Sequence, residues 1–100
     1  MDLAPIVEVD ADLADLIPPY LDNRWADLRA GRELLVEGEF AMLSRMGHRV
    51  RGSAASYGFG DLGIVAEALE AAANAQDGAA AAAQLDAFET FLRSVRIEYV

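Results

Sequence analysis

No cysteine occurs in these 100 residues, which excludes both a disulfide framework and a thiolate metal site. Lysine is absent too. The eight cations are all arginines and face 17 acids, for a formal charge of -9. A chain with a pI near 4.3 is poorly suited to holding a nucleic-acid backbone. No apolar run approaches the ~20 residues of a membrane span, and no cationic leader precedes an apolar segment. A cytoplasmic protein with neither nucleic acid nor membrane as partner is therefore expected. The pattern shows no strand-like alternation and no internal repeat.

Histidine is almost missing as well: His48 is the only one. Around it the acids disappear. From residue 41 to residue 60 there is no Asp or Glu, but there are Arg45, Arg49 and Arg51. This window carries +3, which leaves -12 for the rest of the chain. A lone imidazole in a cationic island on an acidic protein points to a site that handles an anion.

What is present reads as helix. The length suits one domain with a modest core, and the 54% hydrophobic content, much of it alanine, suits close-packed helices. Residues 1–9 mix Leu3, Ile6, Val7 and Val9 with Pro5 and acids, and read as an irregular lead-in lying against the bundle. Residues 10–100 form the domain. Asp10 or Asp12 caps a short helix through Leu13, Leu16 and Ile17, which Pro18-Pro19 interrupts or redirects. A helix over about 19–37 puts Leu21, Trp25, Leu28 and Leu35 on one face, and Gly38 ends it. The His48 helix spans about 39–57, with Gly58 as its left-handed terminator. Asp61 is the expected cap of the next helix, which turns Leu62, Val65, Leu69 and Ala72 inward. A turn follows at 74–78, and Asp77 caps the last helix. There Ala81, Leu85, Phe88, Leu92, Val95 and Tyr99 recur at alternating spacings of four and three, a bundle seam. The expected fold is all-α: an antiparallel up-down four-helix bundle with a short extra N-terminal helix.

Helical geometry places the imidazole. At about 100° per residue, Phe40, Leu43, Gly47, Val50, Ala54 and Tyr57 share one side of their helix. His48 lies about 140° from the centre of that stripe and so faces water. Its neighbours one and two turns away are Ala41, Ser44, Arg45, Arg51, Gly52 and Ala55. Most are small, and the two long ones flank the ring. Trp25, Phe40, Tyr57, Phe88, Leu92 and the pair Met42 and Met46 are assigned to packing.

The run His48-Arg49-Val50-Arg51-Gly52-Ser53-Ala54, followed by Gly58-Phe59 and Leu62, resembles the histidine-containing phosphotransfer (HPt) domains of bacterial two-component phosphorelays. Their motif is a His, a Lys or Arg three on, a Gly four on, small residues, then Gly plus an apolar residue. Arg51 stands where lysine is commoner and keeps the charge. Gly47 before the histidine departs from the usual pattern and bears on helix stability. The resemblance implies that His48 accepts a phosphoryl group from a receiver-domain aspartyl phosphate and relays it to another receiver. It also implies that Arg51, helped by Arg45, offsets phosphoryl charge. Gly52, Ser44 and Ala55 would then leave room for the docking receiver. The implied partners are response-regulator receivers and a hybrid histidine kinase. Mg²⁺ belongs to the receiver, so no cofactor or metal is expected here, and the chain itself is expected to be a monomer.

The chemistry of the residues agrees with a carrier more than with an enzyme. An imidazole is largely neutral at neutral pH and so can act as a nucleophile. A metal site lacks ligands, because there is no second His and no acid within a helical turn of His48. Ser44 or Ser53 could be drawn into a triad, but nothing marks a nucleophile elbow or an oxyanion hole. No nucleotide-binding loop is present, so neither kinase nor ATPase activity is expected. The rival reading is an HPt-like interaction module that docks receivers or other helical partners without carrying phosphate.

Overall fold

Two prolines open the first long helix rather than break it. In the computed structural model, which describes residues 4–100, α1 runs Ile17–Val36 with the prolines in its first turn. The N–H groups that Pro18 and Pro19 lack are among the four that any helix start leaves unbonded. The expected short helix is a 3₁₀ segment, Ala11–Leu16, capped by Asp10, whose side chain accepts from the N–H of Asp12. It runs straight into α1.

Helix α2 spans Phe40–Tyr57, α3 Gly60–Asn74 and α4 Gly78–Ser94. Gly58 ends α2 at φ 80°, the left-handed region that a residue with a Cβ rarely enters. That turn delivers Phe59 into the core, where it stacks on Tyr20 at 5.1 Å and meets Phe91 edge-on at 6.2 Å. Phe59 rather than Asp61 therefore occupies the N-cap of α3, and Asp61 lies in the first turn, where its charge favours the positive helix end. Asp77 caps α4 as expected, accepting from the N–H of Ala80 at 3.0 Å.

Cross-helix contacts run in reverse order between α2 and α3 and between α1 and α2. Gly47 and Ala54 of α2 approach Glu70 and Gly63 of α3 in reverse order, and Asp27 and Arg24 of α1 reach Arg49 and Ser53 of α2 likewise. Arg32 of α1 bridges Asp86 and Glu89 of α4, both at 3.1 Å. Between the helices, Ile17, Leu43, Val50, Phe59, Leu62, Leu69, Leu85 and Phe88 are fully buried, each worth about 1.5–3 kcal/mol of transfer free energy for side chains of this size. Of the expected α3 set, Leu62, Leu69 and Ala72 are buried, whereas Val65 is half-buried and Ala66 takes the inward place. Trp25, Phe40 and Tyr57 pack against the core while remaining partly exposed.

The termini correct the expectation of an irregular lead-in. Ile6–Val9 is a strand, β1, and Arg96–Tyr99 is a strand, β2. They pair in parallel, Ile6 with Arg96 through Val9 with Tyr99. Val7 and Val9 turn inward while Ile6 and Glu8 face water, the period of two that a half-buried strand requires. Consequently α4 stops at Ser94, and Tyr99 is strand residue rather than helix seam, 46% exposed. Leu3 lies outside the described residues.

Candidate functional site

Helix α2 presents His48 by the arithmetic of its own stripe. Leu43, Met46, Gly47, Val50 and Ala54 are buried on one side, and the opposite side carries Arg45, His48, Gly52 and Ala55 in water, with Ser44 and Arg51 half-buried at the edge toward α3. The His48 side chain is 65% exposed. All six residues singled out from the sequence therefore share one surface.

Gly47 sets how close α3 comes. A Cβ placed there would stand 3.0 Å from both the Ala66 carbonyl oxygen and the Glu70 backbone nitrogen, so the α3 backbone would have to move to admit a side chain. Gly47 therefore serves packing between α2 and α3 and so carries more than the helix-stability effect read from sequence. The consequence is chemical. Close approach brings the Glu70 side chain of α3 to His48, with Oε2 at 3.0 Å from Nδ1. Sequence reading missed Glu70, because it considered only acids within a turn of His48 on the same helix.

Arg51 completes a three-cornered cluster. Its Nη2 lies 3.0 Å from Nδ1 of His48, and its Nη1 lies 3.3 Å from Oε1 of Glu70. Nδ1 can serve only one partner at a time. Protonated, it donates to the Glu70 carboxylate and leaves the lone pair on Nε2. Unprotonated, it accepts from Arg51 and the proton sits on Nε2. Among the described residues no hydrogen bond reaches Nε2, on a side chain that is 65% exposed. The cluster can thus offer an exposed nucleophilic nitrogen whose availability depends on the tautomer.

The remaining candidates fall to either side. Ser44 donates to Oδ1 of Asn74 at 2.6 Å, tying α2 to the end of α3. Arg49 is ion-paired with Asp27 of α1 at 2.6 Å. Ser53 receives the guanidinium of Arg24 at 3.1 Å and contacts the Tyr20 hydroxyl at 3.2 Å, a tie between α1 and α2 rather than a nucleophile. Gly52 has open space around the place of a Cβ. Met42, assigned to packing, is 53% exposed, whereas Met46 is buried. Among the described residues no group of three or more acids or histidines could hold a metal ion, and no helix is long and apolar enough to cross a membrane.

Searches among curated proteins and solved structures gave no match. The model of the Hpt domain family matches residues 20–98, which takes in α1 from Tyr20 onward, α2 to α4, β2 up to Glu98, and the whole surface around His48. Hpt domains are phosphotransfer modules of two-component systems, carriers rather than kinases, and they interact with receiver domains and kinases. With four helices in this arrangement and the family pattern running through all of them, the chain belongs to the Hpt domain family.

Proposed function

We propose that His48 is the phosphoacceptor, taking a phosphoryl group from the aspartyl phosphate of one receiver domain and passing it to the aspartate of another. One observation carries the reading: an exposed imidazole whose Nδ1 is engaged by Glu70 and Arg51 while no described residue engages Nε2. In the forward step the Nε2 lone pair forms the N–P bond as the P–O bond to the receiver's carboxyl breaks, and the aspartate leaves as a carboxylate. The ring gains positive charge and keeps its Nδ1 proton, and Glu70 offsets that charge. Arg51 stands close enough to turn toward the phosphoryl oxygens, where a guanidinium matches two acceptors at once. Transfer of this kind needs positioning and charge neutralisation above all.

On this reading Mg²⁺ and its carboxylates come with the receiver, a hybrid histidine kinase supplies the phosphate, and the protein works as a cytoplasmic monomer. The test is label transfer from phosphorylated receiver domains. The labelled protein should lose its label in acid and hold it in base, and His48→Gln should take up none. Receiver binding without label would leave docking alone as the function.

A further inference from the structure

We propose that the groove between α1 and α2 beside His48 discriminates among receivers, seating an apolar side chain of the partner while Arg45 pairs with a carboxylate next to it. The inference rests on the phosphotransfer reading of His48. The groove, of ≈ 290 Å³, is lined by Ala30, Leu34, Met42, Arg45, Met46 and Arg49. It is an open surface groove with room for an inserted side chain. Met42 is 53% exposed at its edge and Met46 is buried at its floor. An unbranched thioether adapts to differently shaped apolar guests.

Charge identifies what lies beside that guest. Helix α2 carries three arginines on this side of the protein, and two are already answered: Arg49 by Asp27 at 2.6 Å and Arg51 by Glu70 at 3.3 Å. Arg45 has no partner among the described residues, although the chain holds 17 acids. It sits about 60° round the helix from His48 toward α1, and Arg51 sits about 60° the other way, toward α3. The two sides of the imidazole therefore differ in kind. Toward α3, Glu70 and Arg51 act on the ring. Toward α1, an unanswered cation stands over an apolar groove, a surface complementary to an apolar residue flanked by an acid. Between lies Gly52, which has open space where a Cβ would be and obstructs neither side.

The experiment separates docking from chemistry by using two donors. Phosphoramidate is small, needs no docking surface, and transfers its phosphoryl group to the imidazole as ammonia leaves. Receiver domains charged with acetyl phosphate must dock. Arg45→Glu, Met42→Gln and the control Arg29→Glu are compared with the parent, after circular dichroism has shown equal helicity. Arg45→Glu should slow transfer with the fastest receiver of a panel about tenfold more than it slows phosphoramidate labelling. That gap should narrow as salt screens the pair. Met42→Gln should slow receiver transfer about threefold more than phosphoramidate labelling, at every salt concentration.

Equal slowing with both donors would overturn the proposal and place Arg45 at the phosphoryl group. An Arg45→Glu effect no larger than that of Arg29→Glu would overturn it also, as would a parent that phosphoramidate labels but no receiver does. A parent that phosphoramidate fails to label at His48 would instead overturn the phosphotransfer reading itself.

Discussion

Glu70 and His48 lie 22 residues apart on different helices, yet Oε2 of one stands 3.0 Å from Nδ1 of the other. The contact depends on Gly47, whose missing Cβ lets the α3 backbone pass beside α2. A packing requirement and a chemical one thus meet in adjacent residues.

The first prediction follows from that pair. If Glu70 holds the proton on Nδ1, Glu70→Ala should shift the ring toward the Nε2–H tautomer, visible in the ¹⁵N shifts of the imidazole. Phosphoramidate labelling of His48 should slow by about tenfold, the rate equivalent of losing a charged hydrogen bond of ~1.5 kcal/mol. Unchanged ¹⁵N shifts together with an unchanged rate would remove Glu70 from the mechanism.

The second compares two glycines five residues apart. Gly47→Ala should cost about 1–3 kcal/mol, because the new methyl meets backbone of α3 that can yield only by moving the helix. Gly52→Ala should stabilise by up to about 1 kcal/mol, since glycine is the poorer helix former and the site is open. Gly52→Gln should also be more stable, yet transfer phosphate to receivers more slowly than the alanine variant. Thermal melts and stopped-flow transfer on the same proteins decide both points. A destabilised Gln variant would mean that Gly52 serves packing.

The third concerns His48 itself. His48→Gln should abolish labelling by every donor while moving the melting temperature by no more than about 4 °C, because exposed substitutions stay within about 0.5 kcal/mol. Label persisting on the Gln variant would assign the phosphoryl group to another residue.

The fourth is a pH dependence on the far side of the bundle. Hydrogen bonds from Arg93 and Arg32 hold the Glu89 carboxyl below its ordinary value of 4.5. A carboxyl with a lowered folded-state value contributes stability that is present above the unfolded value and is lost as pH falls through the folded one. The stability difference between the parent and Glu89→Gln should therefore be constant near neutral pH and close below about pH 4.5. The site is open to solvent, so the difference should be small and shrink in high salt. A gap that widened in acid would contradict the ion-pair account.

Much of this was legible because it is local. The stripe through Leu43, Val50 and Ala54 fixed which side of α2 is buried, and the same period put His48, Gly52 and Arg45 in water. Gly58 and Asp77 marked a helix end and a helix start by chemistry confined to one turn. What escaped depends on the placement of one element against another. Glu70 is an ordinary acid on its own helix, and only the approach at Gly47 makes it a partner of His48. The alternation Val7-Glu8-Val9 is too short to stand out as a strand. Its partner, Arg96–Tyr99, continues the seam spacing of α4 closely enough to pass for helix. Phe59 displaced Asp61 as the start of α3 because burial of an aromatic ring outweighed a side-chain cap.

The parallel pairing of β1 with β2 has a mechanical consequence. In a parallel pair, tension applied at the beginning of the first strand and the end of the second pulls the strands past one another along their length. The backbone bonds from Arg96 to Pro5 and from Val100 to Val9 would then be loaded together in shear instead of being unzipped in turn. The four helices hang between these strands as a single crossover, shielded from the load while the clasp holds. A pull on the two ends of this domain should meet its resistance at the strands, and His48 should keep its surroundings until they part.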